Sequence, residues 1–195
     1  MTRGRRPKLD QRRHALSVPR VQIATISNIF IGRCSALKDS TSRLLDLLNK
    51  ESPLLILEGC RVRPLHDSPE PVPLARTCIV RKDRIVWARP LGPASKPSAV
   101  NNLVVDKECT SVVAFAPPFR ITGLTHTLPG ADPTLALTRL VTGFLPLTNV
   151  GVRLDADDGT SWNAKVLILN GRMTDIISAS AIGQLVELTG ERSAA

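Results

Sequence analysis

The sequence predicts an α+β protein in which β-structure dominates, built as two tandem small β-barrel or roll modules that each carry one short helix. Three observations predict this fold class. Short strand-like segments separated by turn residues fill most of the chain after residue 20. The same order of segments occurs twice, with a spacing of about 90 residues. Apolar residues make up 43% of the chain and aromatic residues only 3%, so the core must be mainly aliphatic.

The first predicted module spans residues 21–90 and follows a basic, irregular arm, residues 1–20. Residues 21–26 alternate apolar and polar side chains, which is typical of a half-buried strand. Residues 29–31 follow after Asn28 and predict either a hairpin or one long bent strand.

A short helix is predicted next, over residues 39–49, because its leucines recur at helical spacing and would bury one face. Asp39, Ser40 and Thr41 can each cap its N-terminus, since their side-chain oxygens accept first-turn amides. Asn49 is a suitable last residue. A helix of this length is stable only when it packs on a sheet.

The first module ends with more strand signals. Residues 54–63 predict a strand with a bulge at Gly59. Residues 64–73 contain four prolines and predict a loop. Residues 78–87 predict two short strands around a polar turn.

The second predicted module, residues 110–180, repeats this order after a linker and lead-in strand at residues 91–109. An amphipathic segment in the C-terminal tail, residues 181–195, predicts a short helix over residues 182–188. The correspondences between the modules are residues 112–115 with 21–24, 120–123 with 30–32, 144–153 with 54–63, and 166–173 with the strand–turn–strand that ends at Ile85.

The first module resembles an uncharacterised family of small bacterial domains, through the runs RLLDLLNKESPLLILEGCRVR and CIVRKDRIVWARP. The family pattern reads strand, Leu-Ser-Asp-x-Leu-Asn helix, Phe-x-x-Leu-x-x-Val strand, and a final pair that ends in Lys-x-x-Ile. Asp46, Leu48 and Asn49 match the helix signature, whereas Leu45 stands where the family has Ser.

In the second module, Phe144, Leu147 and Val150 match the strand signature of that family. The Asp and Asn of the helix signature are missing there, with Thr138 and Thr142 nearby. The resemblance covers roughly 70 residues in each copy. It implies a small β-barrel-like fold and brings no activity with it.

The net charge of +9 is concentrated in the arm, which holds seven of the 26 bases and one of the 17 acids. Such an arm attracts polyanions. A second basic cluster lies in the first module, partly on one strand face and partly at a turn. The candidate polyanion-binding residues are therefore Arg3, Arg5, Arg6, Lys8, Arg12, Arg13, Arg20, Arg61, Arg63, Arg81, Lys82 and Arg84.

Sequence signatures of enzymes and metal sites do not occur in the chain. It has no Gly-x-Ser-x-Gly, no phosphate-binding glycine loop, no His-Glu-x-x-His and no Cys-x-x-Cys. The acidic run at residues 155–159 predicts a hairpin turn rather than a calcium loop. We expect no catalytic residue, cofactor or metal; the weakest alternative is an enzyme whose pocket gathers Asp155, Asp157 and His126.

We therefore expect a cytoplasmic, non-enzymatic binding or scaffold protein whose basic arm contacts a polyanion such as nucleic acid. Contact would be made with the backbone and without base choice, because stacking needs more exposed aromatics than this chain supplies. The alternative is a structural protein that assembles through its β modules, with a protein partner or a second copy. No apolar run approaches the about 20 residues that span a bilayer, so no membrane span is expected.

Overall fold

The computed structural model describes residues 19–37, 43–66, 70–92, 107–132, 135, 137–138, 141–155 and 160–180. Strands dominate, as the sequence predicts. They are β1 (Arg20–Ala24), β2 (Asn28–Arg33), β3 (Leu54–Pro64), β4 (Val72–Arg81), β5 (Trp87–Leu91), β6 (Glu108–Ala116), β7 (Phe119–Thr127), β8 (Phe144–Leu154), β9 (Ser161–Asn170) and β10 (Ile176–Ser180).

The ten strands form one open antiparallel sheet with the order β10-β6-β7-β8-β9-β5-β1-β2-β3-β4. The expected closed barrels are therefore wrong. Closing the first five strands on themselves would require β5 to pair with β4, but β5 pairs with β1 on one side and with β9 on the other. Within the one sheet, β1–β5 follow the order β5-β1-β2-β3-β4, and β6–β10 follow the order β10-β6-β7-β8-β9.

The predicted loop over residues 64–73 is shorter than expected, because β3 extends to Pro64 and β4 already begins at Val72. Proline lacks the amide that a central strand must donate, which is why the segment looked like a loop. Pro73 fits inside β4 because this strand has a neighbour on its β3 side only, among the described strands.

One short helix, α1 (Leu44–Asn49), is described over its full length, and it ends at the predicted residue. Residues 135, 137 and 138 are helical as well. It packs through Leu44, Leu47 and Leu48, which are all buried. The predicted N-terminal caps at residues 39–41 lie outside the described residues. At the helix start, the carboxylate of Asp46 instead accepts the backbone amide of Arg43 at 3.3 Å.

The bulge predicted in β3 is present. Gly59 has φ of 57°, in the left-handed region that glycine adopts at little cost, and the β2–β3 register shifts between Ile31 and Arg33. A similar shift occurs in the β7–β8 ladder between Thr122 and Leu124, where Asn149 of β8 has φ of 50°.

Two apolar clusters fill the interior, one formed mainly by β1–β4 with α1 and the other mainly by β6–β9. They meet where β5 pairs with β9. Trp87 of β5 belongs to the second cluster, with its ring 5.7 Å from Phe119 and 6.0 Å from Trp162. Ile168 of β9 belongs to the first.

Side-chain hydrogen bonds also cross this β5–β9 junction. The Asn170 amide donates to the carbonyl of Ile85 at 2.8 Å, and its oxygen accepts the Arg172 amide at 3.1 Å. Asn49, at the end of α1, pairs with both backbone groups of Phe144, at 3.0 and 3.2 Å. The two groups of strands are thus joined by buried polar contacts as well as by the ladder. No helix in the described ranges is long and apolar enough to cross a membrane.

Candidate polyanion-binding surface

Five arginines lie on one face of the neighbouring strands β5, β1, β2 and β3. Residues directly opposite each other in a ladder point to the same face, about 4.8 Å apart in the strand-to-strand direction. The pairing register between the strands therefore shows which side chains lie on the same face of the sheet. We call it the arginine face; it consists of Arg20, Arg33, Arg61, Arg63 and Arg89.

The first row across the face runs from Arg89 on β5 through Gln22 on β1 and Ile31 on β2 to Arg61 on β3. Arg89 is fixed in this row, since its Nε donates to Gln22 Oε1 at 2.5 Å and its Nη1 donates to the carbonyl of Asn163 at 3.2 Å. Burial lowers the pKa of Arg89 below its ordinary value. Arg61 is exposed and donates to the carbonyl of Pro71 at 2.5 Å.

The second row places Arg20 of β1 opposite Arg33 of β2, and Arg33 opposite Glu58 of β3. Both arginines are exposed. Glu58 is the one acid in the rows that make up the face. Two like charges directly opposite each other repel.

The third row runs from Trp87 through Ala24 and Ile29 to Arg63. Trp87, Ala24 and Ile29 are fully buried, and only the arginine is accessible. At this row the face continues into the apolar interior, and only its β3 end is accessible to a ligand.

Three of the predicted residues, Arg20, Arg61 and Arg63, belong to the arginine face. Arg20 is also the first residue of β1, so the basic arm joins the fold at this face. The predicted residues of the arm itself, Arg3, Arg5, Arg6, Lys8, Arg12 and Arg13, lie outside the described residues.

The three predicted residues at the turn after β4 lie elsewhere. Arg81 is exposed and its guanidinium binds the carboxylate of Asp83, which holds the pKa of Asp83 below its usual value. Lys82 is 7% exposed, and its ammonium donates to the carbonyls of Leu47 and Lys50 at the end of α1, at 2.5 and 3.0 Å. Lys82 therefore stabilises a helix end and presents little charge to solvent. Arg84 is exposed.

Arg33 and Arg89 complete the face although neither is among the candidate residues predicted from the sequence. The sequence does place Arg89 on the same strand face as Trp87, because residues two apart in a strand point to the same side. Arg33 offered only its position after Gly32, and its membership of the face depends on the β1–β2 register, which the sequence does not fix.

The residues of the enzyme alternative do not converge where they are described. Asp155 follows Leu154, which pairs with Phe119 at one end of β7, whereas His126 lies near the other end. Seven residues of strand at about 3.3 Å each separate these ends by more than 20 Å. Asp157 lies outside the described residues.

His126 instead takes part in a small polar cluster that the sequence did not indicate. Its Nδ1 lies 3.4 Å from the Cys109 sulfur, and its Nε2 lies 2.8 Å from Thr148 Oγ1. Cys109 and His126 are direct partners in the β6–β7 ladder, so the cluster lies on an open strand surface. Among the residues that the structure describes, no group of three or more His, Cys, Asp or Glu could hold a metal ion.

Comparison with protein-family models, with curated proteins and with solved structures found no match for this chain.

Proposed function

We propose that this chain is a non-enzymatic binding protein whose arginine face, together with the basic arm, contacts the phosphate backbone of a polyanion such as nucleic acid. The observation that carries the proposal is the gathering of five arginines from four strands onto one face, with one acid among them. Phosphate contacts need only such cations, and they make binding salt-dependent.

The aromatic residues favour backbone contact over base reading. Trp87 and Phe119 are fully buried in one cluster, with Trp162 packed against it. Bases stack on exposed aromatic platforms, worth about 1–3 kcal/mol per base, and these rings are turned inward. Binding through the arginine face is therefore expected to be indifferent to sequence.

We further propose that the sheet consists of two related units, β1–β5 and β6–β10. The last three strands of each unit have equal lengths, with eleven residues in β3 and β8, ten in β4 and β9, and five in β5 and β10. The first two strands of the second unit are longer than those of the first. A 3-10 turn precedes the last strand of each unit. The bulges lie at corresponding places, and Gly32 and Gly123 both leave room for the facing Leu57 or Leu147 and the carbonyl next to it.

The second unit supports a functional reading of the arginine face. At the positions that correspond to Arg20, Arg33, Arg61 and Arg89, it carries Ser111, Leu124, Gly151 and Ser178. The fold thus forms without these charges in one unit, so they are not required by the sheet in the other. Only Arg63 has an arginine counterpart, Arg153.

The test measures binding of the full chain to fluorescently labelled single-stranded RNA and duplex DNA by anisotropy over a range of salt concentrations. The variant is R20Q/R33Q/R61Q. With about 1 kcal/mol lost per exposed charged contact, we expect roughly 100-fold weaker binding. The salt slope should fall by about 2 on RNA, since each lost phosphate contact removes about 0.7.

The matched control is R76Q/K107Q/K165Q, which removes the same number of charges from exposed positions outside the face. It should stay within about threefold of the unchanged chain. Equal losses in the two triple variants would show that net charge, and not the arginine face, determines binding. Binding that survives high salt or prefers one base sequence would contradict the backbone mode.

A second candidate function, a self-assembling structural protein, is favoured by apolar side chains at the sheet edges. Ile79 on β4 is 66% exposed and Ile176 on β10 is 59% exposed. Monomeric proteins usually protect edge strands with charge, proline or short length, because open edges pair with other chains.

A further inference from the structure

The two edge strands of the sheet are the counterparts of two strands that pair inside it. Among the described strands, β4 has a neighbour only in β3, and β10 only in β6. In the two-unit reading, β4 corresponds to β9 and β10 corresponds to β5. Because β9 and β5 are hydrogen-bonded to each other at the centre of the sheet, the molecule already contains one example of the pairing that its own edges would make.

The internal pairing gives the register of that example. Trp87 lies opposite Leu169 and Ala88 opposite Ile168. The ladder is continued by the amide of Asn170, which donates to the carbonyl of Val86 at 2.9 Å. Along the chain, β9 follows β4 by the same number of residues as β10 follows β5. The edge pairs equivalent to the internal ones are therefore Ile176 with Val80 and Ile177 with Ile79.

Exposure distinguishes the two edges from their internal counterparts. Ile168 is 3% exposed, whereas its counterpart Ile79 is 66% exposed. Trp87 is fully buried, whereas Ile176 is 59% exposed.

A third position follows the same pattern. Phe144, at the start of β8 beside the junction, is 9% exposed, and its counterpart Leu54 on β3 is 44% exposed. Two apolar positions on the open edge strands, and one on β3 next to the β4 edge, thus correspond to three positions that are buried at or beside the central junction.

We propose that β10 of one chain pairs antiparallel with β4 of a second copy of this chain, reproducing the β5–β9 junction between molecules. Ile176 then faces Val80 and Ile177 faces Ile79 of the neighbouring copy, and the amide of Arg81 donates to the carbonyl of Asp175. The occupant is a second copy because the chain supplies both halves of the interface in matching register. The inference rests on the two-unit reading and is independent of polyanion binding.

This interface is heterologous, since each copy contributes a different edge. One contact leaves a β4 edge at one end and a β10 edge at the other, so further copies add in the same way. Such assemblies close into rings when the rotation between neighbours permits it, and otherwise grow into filaments. An isologous dimer through two β4 edges or two β10 edges would not reproduce the internal junction.

The test uses light scattering after size-exclusion chromatography of the full chain at micromolar concentration, after nuclease treatment and in high salt. We expect an assembly of more than one chain. Ile79→Lys should block the β4 edge and Ile176→Lys the β10 edge, because a charged side chain on an edge strand opposes pairing. Each variant alone should be monomeric, while an equal mixture of the two should form a heterodimer through the two edges that remain.

The control is Ile26→Lys, which places the same charge on an apolar residue that is 58% exposed between β1 and β2, away from either edge. It should assemble like the unchanged chain, and all variants should keep the same circular dichroism spectrum. A monomeric unchanged chain would overturn the proposal. So would single variants that still assemble, or a mixture that yields no heterodimer. R20Q/R33Q/R61Q should assemble normally, so failure of the polyanion proposal leaves this result intact.

Discussion

Asn170 should be one of the most sensitive polar positions in the chain, because its side chain ties the two groups of strands together. It is 2% exposed, at the end of β9. Asn170→Ala removes the donor to Ile85 O at 2.8 Å and the acceptor for Arg172 N at 3.1 Å. A buried partner left without its hydrogen bond costs about 1–3 kcal/mol. The longer contact to Lys82 O, at 3.4 Å, adds little.

With about 1.5 kcal/mol for each of the two good hydrogen bonds, we expect a loss of about 3 kcal/mol in the free energy of unfolding. For a chain of this size, 1 kcal/mol corresponds to about 2–4 °C. The melting temperature should therefore fall by roughly 6–12 °C, as measured by circular dichroism and checked by urea denaturation.

Asn163→Ala is the matched control, because Asn163 lies on the same strand with an exposed side chain, and only its backbone carbonyl accepts Arg89. Its unfolding free energy should change by less than about 0.5 kcal/mol. If Asn170→Ala melts within 2 °C of the unchanged chain, the hydrogen bonds of the Asn170 side chain do not stabilise the junction.

Three further predictions concern other buried groups. Burial, and then the hydrogen bond of its thiol with Cys78, raise the pKa of Cys60 to about 12. Iodoacetamide near pH 8 should therefore leave Cys60 unmodified in the folded chain and modify it in urea, as measured by peptide mass spectrometry. A Cβ at Gly171 would lie 2.4 Å from the Val141 backbone, so Gly171→Ala should lower the unfolding free energy by about 3 kcal/mol, and a change below 1 kcal/mol in urea melts would refute that clash. Burial lowers the pKa of Lys82, so the folded chain loses the ammonium proton at a lower pH than the unfolded chain does. The unfolding free energy of the unchanged chain, relative to that of Lys82→Met, should therefore rise as the pH increases towards the ordinary lysine pKa of 10.5. A fall over this pH range would contradict the lowered pKa.

Local patterns in the sequence predicted local structure well. The strand predicted over residues 21–26, the end of α1 at Asn49 and the bulge at Gly59 all depend on neighbouring residues, and each was found. The prediction that this strand is half-buried was wrong, because β1 ends at Ala24 and its last four residues are all buried. Pro73 lies inside a strand, contrary to the prediction, for a reason that is not local. A proline excludes a central strand but not an edge strand, and only the finished sheet shows that β4 is an edge.

Strand pairing across the chain could not be predicted in the same way. Whether β5 closes on β4 or pairs with β9 depends on which strand presents the better partner for Trp87 and Ala88, and both β4 and β9 carry a run of apolar residues just before their last residue. The arginine face could be predicted only in part for the same reason. Arg61 and Arg63 share a face by simple alternation, but Arg33 and Arg89 join them only through the registers of two further ladders.

The arginine face and the edge pairing use different parts of the first unit, and this has a consequence for how they would act together. The face lies on β5, β1, β2 and β3, whereas the proposed contact uses the outer side of β4 and reaches none of the five arginines. Each added copy would therefore contribute one unobstructed arginine face and one second unit that lacks it. A long polyanion could engage several such faces at once, and linked contacts raise overall avidity well above the affinity of one face. An oligonucleotide short enough to occupy a single face gains nothing from assembly, so the difference between long and short ligands separates the contribution of the edges from that of the arginines.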